Sequence, residues 1–411
     1  YGTVSVKVAP FIVQGKPERE HDIIEITTYR SESGYYDGRH PGVITFEDNL
    51  EKDLSRRDFT INAMAYGQVN GVWTIIDPFS GQNDLRQKIL RTVGDADQRF
   101  QEDALRLLRA VRLMTELRTP PKAKDDDFTT SDWSLAPHTL TSLQANAALL
   151  SQVSAERIQS ELNKIILSQN AAYGIQLLEN TSLLAHILPE LREGIGVTQN
   201  LHHIYTVWEH NLRALHTCPS EKLSVRLACL LHDVAKPKTK RGNGYRSTFY
   251  NHDHVGARMT KLALERLHYP TALVKKVTLL VDQHLFYYNV GEVTEASARR
   301  LIKRVGLENM PDLMAVRVGD RLGSGVPKAK PYKLRHLEYM IEKVSKDPLS
   351  VKMLALKGTD LMESLQLKPG PAIGAILDVL LAEVIEDPRK NTRETLLIRA
   401  KELESASLDT L

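Results

Sequence analysis

The chain has 411 residues, 42% hydrophobic and 26% charged, with a formal net charge of +3 at pH 7. This length predicts two to four domains rather than one core, and the composition is that of a globular protein, so a disordered or collagenous chain is excluded. No apolar run approaches the roughly 18 to 20 residues of a membrane span and no signal peptide is visible; two cysteines, Cys218 and Cys229, give no disulfide framework and fit a reducing cytoplasm.

The sequence opens at Tyr1 without an initiator methionine, already in an alternating pattern, and reads as a piece that begins inside a domain. Gly2 to Val8 and Ile23 to Thr28 are expected strands, separated by a turn at Pro10, Gly15 and Pro17. Glu25 lies on the second strand, where alternation makes it either a solvent-facing residue or a group available to a site. The polar stretch from Arg30 to Phe46, with Tyr36-Asp37-Gly38-Arg39-His40 at its middle, is expected to be a mobile loop. Asp53-Leu54-Ser55-Arg56-Arg57-Asp58-Phe59-Thr60-Ile61-Asn62-Ala63-Met64-Ala65 starts charged and becomes apolar, as a turn feeding a helix does; Asp58 alone also reads as a helix cap. A short β-rich run at 72–76 then closes at Asp77-Pro78-Phe79, with Gly81 in the following turn.

Glu102-Asp103-Ala104-Leu105-Arg106-Leu107-Leu108-Arg109-Ala110-Val111-Arg112 is expected to be one helix, entered from Asp95 and Asp97. Asp103, Arg106, Arg109 and Arg112 stand three apart, a stripe in which one carboxylate leads three guanidiniums. Such a stripe is either a solvated face with internal ion pairs or a set of donors and acceptors for a nucleobase edge and phosphates.

Taken in order, Asp53 to Ala65, Asp77 to Leu85, Leu90-Arg91-Thr92-Val93-Gly94 and the Glu102-Asp103 to Arg106 segment resemble the motifs of the class II tRNA nucleotidyltransferases, the CCA-adding enzymes, and of the closely similar bacterial poly(A) polymerases. The resemblance implies an α+β fold, with a polymerase-β-like head carrying a mixed sheet and then a mostly helical neck, body and tail. It implies that Arg57, Asp58 and Asn62 select a ribose, that the piece from Val72 to Gly81 is a hinge, and that the 30–46 loop helps switch from C to A addition, although a plain connection is the other reading. It assigns Asp103 and Arg106 to Watson–Crick-like contacts with the incoming base, and Arg109 and Arg112 to nucleotide phosphates or nearby RNA. Glu25, in a segment that resembles the family's E-V-T-T-F-R, is implied as a further ligand or orienting group beside Mg²⁺. The family's GGxxRD turn and DxD pair, which precede this point in its members, do not occur in this sequence.

Residues 117–143, with Thr119-Pro120-Pro121 and Asp125-Asp126-Asp127, are expected to form an exposed insertion. Helical periodicity resumes at Ser154, with Ile158, Leu162, Ile165 and Ile166 on one face; Glu156-Arg157-Ile158 resembles another family motif, which implies a brace for the base-reading helix. His210, His232-Asp233 and Asp320, with His252 and His284 between, resemble an HD domain. The resemblance leaves two readings, metal-dependent phosphate-ester hydrolysis and a non-catalytic helical body, with the ion's identity open. Basic runs at 236–241 and at Lys328, Lys330, Lys333 and Arg335 are either solvated loops or phosphate contacts. The expected domains are 1–90, the remainder of a nucleotidyltransferase head; 91–200, neck and body; 201–325, HD; and 326–411, a helical RNA-binding tail. The expected function is addition of CCA to tRNA from CTP and ATP, with no membrane partner and no oligomeric state fixed. The alternatives are a poly(A) polymerase and an HD phosphohydrolase whose front half only binds RNA.

Overall fold

A computed structural model describes residues 3–8, 22–35, 41–120, 127–200, 204–286, 294–325 and 332–408. The turn around Gly15, residues 36–40 of the expected loop, Asp125, Asp126, Lys328 and Lys330 lie outside the described residues, as does the side chain of Lys333. The chain divides into two compact units, one formed by 1–195 with 262–271 and the other by 196–261 with 272–411.

In the first unit the strands pair two by two. Thr3–Val8 runs antiparallel to Asp22–Thr27, Arg30–Tyr35 to Pro41–Phe46, and Ala65–Val69 to Val72–Ile76, while Ile89–Leu90 pairs in parallel with Ser134–Leu135. The stretch from Arg30 to Phe46 is therefore a hairpin at both ends and not a loop throughout. Val43, Ile44, Thr45 and Phe46 supply the β-branched and aromatic side chains that suit a pleated edge, and Arg30 sits opposite Phe46.

The 53–65 segment also differs from its expected form. The helix Leu50–Ser55, capped by Asn49, ends within it, and a single 3-10 turn at Thr60–Asn62 leads into a strand. Tertiary contacts decide this. Asp53 is buried and accepts from the backbone N–H of Arg30, Thr60 Oγ1 donates to Asp84 at 2.7 Å, and a Cβ on Gly81 would stand 2.3 Å from the Thr60 carbonyl oxygen. Only glycine allows that approach.

The neck is built on Leu105–Leu117, whose Leu107, Leu108, Ala110, Val111 and Met114 are buried against the helices Ala155–Leu167 and Ala171–Asn180. Ile158, Leu162, Ile165 and Ile166 face this core, as their spacing predicts. Each such side chain contributes about 1.5 to 3 kcal/mol of burial. Residues 127–143 are not an exposed insertion: Phe128 and Trp133 are buried, 134–135 pairs with 89–90, and the Arg118 guanidinium donates to the carbonyls of Asp127 and Thr130 and to Asn170. Polar composition misleads here because the segment's two aromatic residues, not its many hydroxyls, set its place.

In the second unit Val207–His216, Leu223–Leu231 and Met310–Gly323 pack on one another. The tail folds as Gly358–Leu365, Pro371–Glu386 and Arg393–Leu408 around Leu361, Leu377, Leu380, Leu381, Val384 and Leu396. Pro371–Glu386 and Arg393–Leu408 are separate helices, because Pro388 cannot continue the first. Among the described residues no helix is long and apolar enough to cross a membrane.

Candidate functional sites

Ala96–Glu102 and Leu105–Leu117 are separate helices, so the expected single helix over 102–112 is broken. Asp103 stands at the break in an extended conformation, and its Oδ1 accepts from the Leu105 backbone N–H at 3.1 Å. The carboxylate thus begins the second helix from outside it and is free of the helical ladder.

Around this break a cavity of about 600 Å³ is lined by Arg56, Arg57, Asp58, Asn62, Asp103, Leu105, Arg106, Arg109 and Arg157. Asp58 does not cap an α-helix; it ties the cleft together. Its Oδ1 accepts from the Phe59 backbone N–H and from Asn62 Nδ2, and its Oδ2 lies 2.6 Å from Arg109 Nη2. Burial opposes the charge on Arg109, but Asp58 outweighs it and raises the guanidinium's pKa. Arg106 donates to Glu102 at 2.8 Å and to the carbonyl oxygens of Arg99 and Arg56. Six residues singled out from the sequence, Arg57, Asp58, Asn62, Asp103, Arg106 and Arg109, therefore converge.

Arg112 does not join them. At roughly 100° per residue, each step of three turns the stripe back by about 60°. By Arg112 the side chain has left the cleft, and it pairs with Glu116 at 2.7 Å and Glu161 at 2.6 Å. Glu25 sits opposite Ser5 on an exposed hairpin, and among the described residues neither of the two groups spaced to hold an ion includes it. Arg157, not assigned to the nucleotide site from sequence, places Nη2 2.8 Å from Asp103 Oδ2. Its signal was the Glu156-Arg157-Ile158 motif, read only as a brace.

The second unit gathers His210, His232, Asp233, His252, His284 and Asp320. His210 comes from the first turn of Val207–His216, behind a capping box of Thr206 and Glu209. His232 and Asp233 follow Leu223–Leu231, and Asp320 projects from Met310–Gly323. The last helix approaches the first so closely that a Cβ on Gly319 would lie 2.8 Å from the Ala214 carbonyl oxygen. As a result His210 Nε2 lies 3.0 Å from His232 Nε2 and 3.2 Å from both Asp233 Oδ2 and Asp320 Oδ1. Burial opposes charge on His232, yet Asp233 and Asp320 push it up to about 10. Burial likewise opposes charge on Asp233, and the neighbouring His232 and Lys236 hold it well below the usual carboxylate range. Lys236 Nζ is 2.6 Å from Asp233 Oδ2, and Arg317 Nη1 is 2.7 Å from Asp320 Oδ2. A cavity of about 720 Å³ opens beside these groups, with Lys236, Tyr250, Arg317 and Arg321 on its wall.

These features define a nucleotidyltransferase built from a polymerase-type head, a helical neck and an HD domain. Residues 7–91 match the poly(A) polymerase head domain, 132–195 the "Probable RNA and SrmB- binding site of polymerase A", 195–322 the HD domain, and 330–400 the tRNA nucleotidyltransferase domain 2. The chain is 36% identical over 348 residues to the A-adding tRNA nucleotidyltransferase of Deinococcus radiodurans, a match covering 81% of this chain and 74% of that protein. It is 34% identical over 358 residues to the CC-adding tRNA nucleotidyltransferase of Thermus thermophilus, covering 85% of this chain and 76% of that one. The CCA-adding enzyme of Bacillus stearothermophilus, solved in complex with CTP, superposes with a TM-score of 0.65 at 25% identity, over 100% of this chain and 84% of that chain. The chain belongs to the class II tRNA nucleotidyltransferase family.

Proposed function

We propose that this protein transfers nucleotidyl groups from CTP and ATP to the 3′ end of tRNA, building the terminal CCA in the cytoplasm. The observation that carries the reading is the convergence of Asp103, Arg106, Asp58 and Arg109 in one cleft of a chain of this family. Cytosine and adenine both present an exocyclic amine beside a ring-nitrogen acceptor. A carboxylate acceptor with a guanidinium donor complements that edge, whereas uracil and guanine offer a carbonyl and a ring N–H in the same places. On this reading Asp103 accepts from the amine and Arg106 donates to the ring nitrogen. Arg109 neutralises phosphate while Asp58 holds its fork, and Asn62 and Arg57 serve the ribose. On the same reading the head spans 1–90, the neck and body 91–200, the HD domain 201–325 and an RNA-binding tail 326–411. The Mg²⁺ expected at the nucleotidyl site finds no fitting ligand group among the described head residues, where Glu25 is exposed and ungrouped, so no step is assigned to it.

A second activity is favoured by the buried donors of the HD cluster. His210, His232, Asp233 and Asp320 would hold a divalent ion, which supplies an activated water for phosphate-ester hydrolysis. Lys236 and Arg317 balance the carboxylates, and with Arg321 they give the adjoining cavity its affinity for phosphate.

The test is extension of a tRNA that ends before CCA, with CTP and ATP supplied singly and together. Addition of C, C and A followed by arrest supports the reading. In tests with this chain and with a version carrying the family's GGxxRD and DxD segment ahead of Tyr1, addition of C alone or A alone narrows it to a partial activity, long A tails replace it with poly(A) polymerisation, and no extension by the longer version refutes it.

A further inference from the structure

We infer that Cys218 and Cys229 form a reversible redox pair, in which a hydroperoxide oxidises Cys218 and Cys229 then closes a disulfide within the chain. They are the two cysteines of the sequence, both are free thiols, and neither has a part in the activities above. Cys218 follows the helix Val207–His216, next to the exposed Pro219, and is half-buried. Cys229 lies inside Leu223–Leu231 and is fully buried.

Packing brings the two together. A Cβ on Gly319 would stand 3.0 Å from Cys229 Sγ and 3.6 Å from Cys218 Cα, so one glycine of Met310–Gly323 covers both residues. Beneath it the Cys229 thiol donates a hydrogen bond to Cys218. Cys218 Sγ in turn lies 3.6 Å from the Ser220 carbonyl oxygen, and Arg226 Nη1 stands 3.5 Å from that same oxygen. A hydrogen-bond donor and a guanidinium thus attend one sulfur, which favours its thiolate. A cysteine kept only as a small apolar side chain has its thiol pushed up by burial. At Cys218 the hydrogen bond from Cys229, helped by Arg226, outweighs burial and holds the thiol below its ordinary value.

The difference in burial sets the order of reaction, because Cys218 is the sulfur that an oxidant meets. Its thiolate attacks one oxygen of the hydroperoxide and an S–O bond forms as the O–O bond breaks. The other oxygen leaves as an alcohol, or as water from hydrogen peroxide, with the proton that Cys218 gave up, and Cys218 becomes a sulfenic acid. The Cys229 sulfur then attacks the Cys218 sulfur, its proton leaves with the hydroxyl group as water, and the S–S bond forms. Two thiols and one hydroperoxide give one disulfide, one alcohol and one water. The close cover of Gly319 leaves little space for oxygens on Cys229, which favours closure over further oxidation. In a reducing compartment a small thiol such as glutathione reopens the bond by exchange, the behaviour of a sensing disulfide rather than a structural one.

The experiment exposes the folded full chain, freed of reductant, to hydrogen peroxide. Thiols are counted in denaturant after quenching and the intact mass is measured, with glutathione as the reference thiol and thermal melting as the folding control. Wild type should lose both thiols together and several-fold faster than glutathione, become lighter by two hydrogens without joining a second chain, and revert with dithiothreitol. Cys229→Ala should stop at a sulfenic acid on Cys218 that dimedone traps, Cys218→Ser should keep Cys229 reduced, and Arg226→Gln should slow the loss several-fold. Thiols that survive in the folded chain while glutathione is consumed, a sulfenic acid that persists in wild type, or a disulfide joining two chains would each overturn the pair. If a variant does not fold, the thiol count and mass of wild type still decide.

Discussion

Asp103 shows how much a single carboxylate can be asked to do. One oxygen starts a helix by accepting from Leu105 and the other is held by Arg157 at 2.8 Å, so its direction is set from two elements. Asp103→Ala should lower CTP and ATP addition about 10- to 100-fold, the range for losing a hydrogen bond to a charged group, while UTP and GTP addition changes less; single-turnover rates with the four nucleotides check this. Arg157→Lys keeps the charge but loses the planar fork. It should reduce the ratio of correct to incorrect addition several-fold with a smaller change in the total rate, and unchanged ratios would leave Arg157 a purely structural brace. The sequence made Asp103, Arg106 and Arg109 legible because charge at a fixed spacing on an apolar helix is visible without coordinates. Arg157 was not, since its pairing joins positions 54 residues apart. Arg112 lies outside the cleft because a spacing of three drifts around a helix, and its partners Glu116 and Glu161 take it up.

At the level of elements, periodicity found most of the helices but could not see where side chains compete with the backbone. The break at Asp103 is such a case, as are the hairpin arms of 30–46, where a polar composition hid a strand pair. The Asn70-Gly71 turn was open to reading, since both residues have positive φ and Asn-Gly between strand patterns is a strong hairpin signal. The close helix contact that assembles the HD cluster was not open to it. Gly319 has Ala214 O 2.8 Å and Cys229 Sγ 3.0 Å from where a Cβ would stand, one residue before Asp320. Gly319→Ala should therefore push Met310–Gly323 away from Val207–His216, costing about 1 to 3 kcal/mol in denaturant unfolding. It should also weaken Mn²⁺ binding by about tenfold, because Asp320 Oδ1 is drawn from its place 3.2 Å from His210 Nε2. Stability lost without a change in metal affinity would show that the cluster tolerates the shift.

Across the whole molecule, the cleft around Asp103 and the HD cluster belong to different compact units. His232→Ala should abolish phosphate-ester hydrolysis and leave tRNA extension within about twofold, measured on one preparation; equal loss of both would mean that the sites are coupled. Acid stability gives a second, unit-specific reading. In the first unit Asp53 pairs with Arg56 at 2.6 Å and Arg57 at 3.3 Å, and in the second Asp312 pairs with Lys222 at 2.9 Å and Lys276 at 2.8 Å. Burial opposes both charges, but the cationic partners win and each carboxyl titrates below its ordinary value. Above an unfolded pKa of about 3.9 both states are deprotonated and the stabilisation is complete. As the pH falls the unfolded chain takes up the proton first, so stability declines until the lowered folded value is passed. Asp53→Asn and Asp312→Asn mimic the protonated form. Each should cost about 1 kcal/mol at pH 7, because the cationic partners keep part of their hydration, and the gap to wild type should close progressively below about pH 4. Calorimetry from pH 7 to pH 2.5 tests this. A gap that stays constant down to the lowest pH would mean that the two carboxylates act through shape and hydrogen bonding rather than through charge.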